Sequence, residues 1–180
     1  MELPLEEVMR LVAAVNAARG HRDAAHPASA ARPADDTRES REALEALEAL
    51  DALEAWFHVG RVLAVYGTLA PGKPNHHVVA PLGGAWTQGV VEGELSPVGW
   101  GVTLGYPAFR PRSGGAPVAV HVLTSARLPA AWARLDAFEG AEYRRILVPV
   151  FAPGAAGARR LVTVANLYAV ADGRVGARAR

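Results

Sequence analysis

The chain has 180 residues, 51% of them hydrophobic and 21% charged, with a net charge of +1; that is too apolar for a disordered chain and short for two full domains. With no cysteine, disulfide scaffolds, thiolate zinc sites, iron–sulfur clusters and cysteine nucleophiles are excluded, so any chemistry rests on oxygen, nitrogen or backbone groups. The charge is divided: residues 1–60 hold 6 Arg against 12 acids, while residues 61–180 hold 13 basic residues against 6 acids.

In chain order, Leu5, Val8, Met9, Val12 and Val15 fall on one face of a helix that Gly20 can close, after which Pro27 and Pro33 interrupt an Ala-rich linker. Glu2, Glu6 and Glu7 stand where a secretory signal would carry basic residues, and no stretch reaches ~18 apolar residues without charge, Pro or Gly. The expectation is a cytoplasmic protein with no membrane partner. Asp36 followed by Glu39 has the spacing of a capping box and opens a second helix. From Glu42 to Trp56 the sequence repeats every three residues, with Leu44, Leu47, Leu50, Leu53 and Trp56 in one register. Three residues turn 300°, so this apolar line slips back ~60° per step and winds around the helix. Two readings follow: a helix of high propensity packed against the body, or a partner-binding helix, with self-association through residues 36–59 as one form of it. Residues 1–60 are read as an acidic helical N-terminal extension.

From Arg61 onward, short β-branched or aromatic runs are cut by Gly and Pro. Strands are expected near Val62 to Tyr66, Ala85 to Glu92, Val118 to Leu123, Arg145 to Phe151 and Leu161 to Val170, with Pro153-Gly154 through Gly157 as a hairpin connection. Between the third and fourth strands, Pro129 at a first-turn position opens a helix that ends near Glu139, with Gly140 suited to its C-terminal cap. One helix among many strands excludes a doubly wound parallel sheet and predicts a mostly antiparallel or mixed body of α+β class over residues 61–172. Residues 173–180 form a basic tail. The Arg residues of the body are scattered apart from Arg144-Arg145 and Arg159-Arg160, and no nucleic-acid motif accompanies them. They are read as solvated strand edges, not as a nucleic-acid surface; a mildly positive field also suits a small anionic substrate.

The first strand runs directly into Gly67-Thr68-Leu69-Ala70-Pro71-Gly72-Lys73-Pro74, a near-miss to a P-loop. Pro74 stands where that motif needs Ser or Thr for Mg²⁺, and it has no N–H to offer a phosphate, which disfavours nucleotide hydrolysis of that type. Two readings remain for the loop. It is a tight turn and nothing more, or its backbone N–H groups point into a cavity and bind a carboxylate.

Tyr66-Gly67-Thr68-Leu69, then Gly72, Pro74-Asn75-His76, Gly105-Tyr106-Pro107-Ala108, and Leu135-Asp136-Ala137-Phe138-Glu139-Gly140 with Tyr143 and Arg144 beyond together resemble the γ-glutamylcyclotransferase-like superfamily. The resemblance covers about residues 62–170 in motif order and spacing, and Pro74-Asn75-His76 makes it most similar to the γ-glutamylamine cyclotransferase branch and its bacterial relatives. The chain departs from that pattern at Ser96-Pro97, after Gly93-Glu94-Leu95, and at Val118-Ala119-Val120-His121. The resemblance implies a small mixed β-barrel flanked by helices, with a cavity between the opening loop and the acidic helix end. It further implies a small-molecule γ-glutamyl amide as substrate, held by Tyr66, Gly67, Thr68, Leu69 and Tyr143, with Glu139 as the catalytic carboxyl and no metal or cofactor.

The residues themselves support a role for Glu139. Leu128, Trp132 and Leu135 define an inward stripe, and Glu139 is four residues beyond Leu135, which points an acid at the core face. The helix C-terminus and partial burial should both raise its pKa. An acid paired with Arg144, or a rim residue outside the stripe, are the structural alternatives. The implied reaction is attack of a γ-glutamyl amide's own α-amine on its γ-carbonyl, closing 5-oxoproline and expelling an amine, with one carboxyl taking and returning the proton. A non-catalytic binding or regulatory module with the same cavity is the alternative of another class. His76-His77 lack metal-ligand spacing, and His76 is read as capping the loop, with contact to substrate as the alternative. None of Ser29, Ser40, Ser96, Ser113 and Ser125 lies in G-x-S-x-G, which disfavours a serine hydrolase. Tyr168 is a strand aromatic, core by default, and a candidate for the cavity wall.

Overall fold

The computed structural model describes residues 3–24, 36–97, 105–154 and 159–171, and the chain divides into two compact units, residues 1–58 and 59–180. The linker with Pro27 and Pro33, the Gly157 end of the hairpin and the basic tail over 173–180 lie outside the described residues.

The first unit holds two helices, α1 (Leu5–Ala24) and α2 (Asp36–Phe57). α1 does not close at Gly20 but runs on to Ala24. One interior glycine costs about 1 kcal/mol, too little to end a helix whose Val8, Leu11, Val12 and Val15 are buried. α2 packs on α1 through small residues: Ala46 and Ala49 are buried with Leu53, at spacings of three and four. Because the three-residue repeat winds, Leu44, Leu47 and Trp56 are carried to the exposed side.

The second unit is a mixed barrel with helices outside it. Its strands are β1 (Val62–Val65), β2 (Ala85–Ser96), β3 (Ala108–Pro111), β4 (Ala116–Thr124), β5 (Tyr143–Phe151) and β6 (Leu161–Val170), and α3 (Leu128–Glu139) lies between β4 and β5. The strand order is β3-β2-β4-β1-β6-β5, and a pairing of Val90 in β2 with Phe151 in β5 closes β2-β4-β1-β6-β5 into five strands. Every pairing is antiparallel except β1 with β6. At that parallel seam the buried Asn166 amide donates to the carbonyls of Val59 (2.7 Å) and Val62 (3.3 Å). Of the strands, β3 is the one absent from the sequence reading. It is four residues long, begins just after Pro107, ends at Pro111, and pairs only with the C-terminal end of β2, which is why no periodicity announces it.

Strand alternation sorts the core into two layers. Val62 and Ala64 point into the barrel with Val120, Val122, Ile146, Val148 and Leu167, whereas Leu63, Val65, Leu123 and Tyr168 point out and are covered by Leu128, Ala131 and Leu135 of α3 and by two short 3₁₀ turns. Five strands enclose little space. A Cβ at Gly89 would collide with Val150, and one at Gly93 with the Phe109 ring, so these glycines let the sheet curve tightly. Trp132 packs against the same cluster as Leu128 and Leu135 but is only half-buried, and its Nε1–H donates to the Gly60 carbonyl at 3.0 Å.

Candidate functional site

The cavity lies where β1 opens into its loop. The structure brings Tyr66, Gly67, Thr68, Leu69, Tyr143 and Glu139 together in its wall, although they come from three separate segments. Ala64 and Val65 from β1, Tyr106 and Pro107 from the segment before β3, and Tyr168 of β6 complete it. Of these, Tyr106 and Pro107 had a readable signal, since they sit inside the Gly-Tyr-Pro-Ala motif. Ala64 and Val65 had none beyond their place in a buried strand.

The loop is anchored through its carbonyls. Gly67 O accepts from the Ala70 N–H at 3.1 Å and Thr68 O from the Asn75 N–H at 3.0 Å. His76 Nδ1 lies 3.1 Å from Leu69 O; a carbonyl can only accept, so Nδ1 carries the proton, and His76 braces the loop as the capping reading expected. With three successive carbonyls used in this way, the N–H groups of Gly67, Thr68 and Leu69 have no hydrogen-bond partner among the described residues and are available to an anionic or carbonyl oxygen.

Tyr66 contributes differently from what its position in the motif suggests. Its hydroxyl accepts from the Phe109 N–H at 3.0 Å and donates to the Tyr168 carbonyl at 3.2 Å, and its ring packs against Phe109 with centroids 5.7 Å apart. Burial pushes this phenol's pKa upward, so it stays protonated. The side chain therefore bolts β1 to β3 and β6, and what it presents to the cavity is ring face and backbone.

Glu139 is the last residue of α3. Gly140 follows at φ 73°, a left-handed conformation that glycine adopts without strain, and its N–H donates to Asp136 O at 3.0 Å. This sharp stop holds Glu139 in the cavity wall, where 9% of its surface remains exposed. Burial disfavours the carboxylate and pushes its pKa up to about 7. Tyr143 opens β5 just beyond, its N–H donating to Gly140 O at 3.2 Å.

Behind the wall, the Arg145 guanidinium binds Asp136 through Nε (2.9 Å) and Nη2 (3.2 Å), and lies 4.4 Å from the centre of the Trp132 ring. Arg145 is thus no solvated edge residue; it is partly buried and ion-paired. Arg159 is ion-paired as well, with Glu92. A cleft with backbone donors that have no partner among the described residues, and a buried carboxyl, has the groups needed to bind a small acyl compound and move a proton at its reacting centre.

Residues 63–178 match the family model described as gamma-glutamyl cyclotransferase, AIG2-like, a span that takes in the loop after β1, all of α3 and β2 to β6. Among solved structures, an AIG2-like protein from Mus musculus is 23% identical, with 62% of this chain and 77% of that chain covered and a TM-score of 0.48. An uncharacterized protein from Pyrococcus horikoshii is 20% identical over 61% of this chain and 77% of that chain, with a TM-score of 0.43. YkqA from Bacillus subtilis is 22% identical over 61% of this chain and 35% of that chain, also with a TM-score of 0.43. No curated protein matches the chain.

Proposed function

The chain belongs to the γ-glutamyl cyclotransferase, AIG2-like family, and we propose that within this activity type it cleaves a γ-glutamyl amide to 5-oxoproline and a free amine, with Glu139 carrying the proton. The observation that carries the reading is a carboxyl buried in the cavity wall, where burial pushes its pKa upward, beside a loop whose Gly67, Thr68 and Leu69 N–H groups have no partner among the described residues.

The substrate supplies its own nucleophile. Glu139, as carboxylate, takes a proton from the α-ammonium; the freed amine attacks the γ-carbonyl, and a carbon–nitrogen bond forms as the carbonyl oxygen gathers negative charge. Glu139 then returns the proton to the amide nitrogen, which leaves as the amine when the second carbon–nitrogen bond breaks, and the ring nitrogen sheds its extra proton to the departing amine, which ends as an ammonium. A group with a pKa near the working pH serves both halves, because neither protonation state is scarce. The N–H groups of Gly67, Thr68 and Leu69 are suited to the α-carboxylate or to the developing oxyanion, and the tyrosine-lined wall favours the folded conformer in which amine and carbonyl meet.

The leaving group we favour is an amine or an amino-acid side chain in preference to glutathione, on the strength of Tyr66-Gly67-Thr68-Leu69 with Pro74-Asn75-His76. Assaying γ-glutamyl-ε-lysine, γ-glutamyl-alanine, a γ-glutamyl-alkylamine and glutathione side by side for 5-oxoproline tests both levels. Turnover of glutathione alone overturns the leaving group. Turnover of none by the folded protein, with 5-oxoproline still bound, replaces the enzyme by a binding module.

A further inference from the structure

Asp136 makes three side-chain hydrogen bonds beside the cavity, yet it has no part in the reaction above. Its Oδ1 accepts from the Tyr168 hydroxyl at 2.6 Å and from Arg145 Nε at 2.9 Å, and its Oδ2 accepts from Arg145 Nη2 at 3.2 Å. Arg145 in turn lies over Trp132, which is hydrogen-bonded to Gly60 just ahead of β1. Tyr168 is part of the cavity wall, and its carbonyl holds the Tyr66 hydroxyl. One carboxylate therefore ties α3 to β5 and β6, one helical turn before Glu139.

That turn matters electrostatically. Residues three apart on a helix have Cβ atoms about 5–6 Å apart, close enough for one carboxylate to disturb another. The bidentate Arg145 cation is placed to cancel this disturbance. We propose that the Asp136–Arg145 pair is the positioning element of the site: it holds the last turn of α3 and the Tyr168 wall in register, and it keeps the field of the Asp136 carboxylate from reaching Glu139. This rests on the reading of Glu139 as the proton carrier.

The other titratable or charged groups on the surrounding elements are Tyr66 after β1, Lys73 and Tyr106, Glu142 before β5, Tyr143 and Arg144 in β5, and Tyr168 in β6. Tyr66 and Tyr168 are kept protonated by burial, the latter also by its hydrogen bond to Asp136. Lys73 lies over the Tyr106 ring, 5.8 Å from its centre. None of these is substituted in the variants below, and Tyr168 stays protonated through its burial even where its hydrogen bond to Asp136 changes.

The test is the titration of the Glu139 carboxyl in the full chain, followed by carbon-13 NMR without substrate and assigned with Glu139→Gln. Asp136→Asn removes a negative charge and is expected to lower the midpoint; Arg145→Gln removes a positive charge and is expected to raise it. Each shift should be about half a unit, since the Asp136 side chain is 42% exposed and water screens the pair. The double variant removes both charges and should return the midpoint towards wild type, a recovery that structural damage would not produce. The acid limb of the turnover profile should move with each midpoint.

Shifts of the same sign in the two single variants, shifts under about 0.2 unit, or no recovery in the double variant would overturn the proposal. If Arg145→Gln does not fold, Asp136→Asn decides alone: a midpoint that stays or rises rejects it. Because NMR needs no turnover, opposite shifts in a protein that releases no 5-oxoproline would keep the positioning role and remove only the catalytic reading.

Discussion

Replacing Glu139 by Gln separates two consequences of one buried carboxyl. Burial raises its pKa from 4.5 to about 7, so between those values the folded chain holds a proton that the unfolded chain has released. Stability must then fall as pH rises from about 4.5 to about 7 and level off above, because the native state binds more protons across that window. At 1.36 kcal/mol per unit, the climb from 4.5 to about 7 removes about 3 kcal/mol. Gln has nearly the same shape and nothing to ionise. Glu139→Gln is therefore expected to be about 3 kcal/mol more stable than wild type at pH 8 and closely similar at pH 4, while 5-oxoproline release falls at least ~100-fold. Urea denaturation followed by tryptophan fluorescence at both pH values, with turnover measured on the same samples, gives all three quantities. Wild-type turnover should rise along a limb centred near pH 7, as the carboxylate forms. A gain that is absent at pH 8, or equal at pH 4 and pH 8, would show that the carboxyl is not desolvated. Near-normal turnover by the folded variant would reject its role in proton transfer.

Three further outcomes follow from the packing. A Cβ at Gly67 would meet only the Tyr106 Cβ, at 4.0 Å, so Gly67→Val should keep the fold, within about 1 kcal/mol by urea denaturation, while weakening 5-oxoproline binding at least ~10-fold by calorimetry; unchanged affinity would make the loop a turn and nothing more. Leu135 is fully buried beneath α3, one turn before Glu139, and Leu135→Ala should cost about 2–5 kcal/mol in urea denaturation. All the residues lining the cavity fall between Ala64 and Tyr168, so a chain lacking residues 1–58 should still release 5-oxoproline; a folded but inactive truncation would show that the first unit shapes the site.

The legibility of the fold follows the strength of its periodic signals. Runs such as Val62 to Val65 and Leu161 to Val170 announce strands because they are β-branched and bounded by breakers, and α3 was readable from Pro129 at its start to Gly140 at its end. Four-residue β3 carried no period, and the end of α1 was misread because Gly20 is a weak breaker inside a helix held by tertiary burial. The site was legible at Glu139 through its helical offset from Leu135. Its supporting shell was not: Asp136, Arg145, Trp132 and Tyr168 are far apart in period and type, and only the folding of α3 against β5 and β6 shows that they share hydrogen bonds and a stacked cation.

The loop after β1 shows why local sequence could not choose between a tight turn and a binding loop. Both use the same glycine-rich residues, and they differ in where the backbone polarity goes. A turn that spent its N–H groups internally would have nothing left for a ligand. Here the internal partners fall on the carbonyl side: Ala70 and Asn75 supply N–H donors to Gly67 and Thr68, and the His76 ring takes the Leu69 carbonyl. Asn75 and His76 lie outside the Gly67–Leu69 stretch, in the Pro74-Asn75-His76 segment. Their contacts occupy the carbonyls and leave the N–H groups of Gly67, Thr68 and Leu69 without a partner among the described residues. Substituting His76 by Phe would keep the aromatic contact with Trp86, whose ring centre lies 5.6 Å away, but remove the brace on Leu69. The expected result is weaker 5-oxoproline binding by calorimetry with little loss of stability; unchanged affinity would mean that the carbonyl contacts do not hold the loop in its binding form.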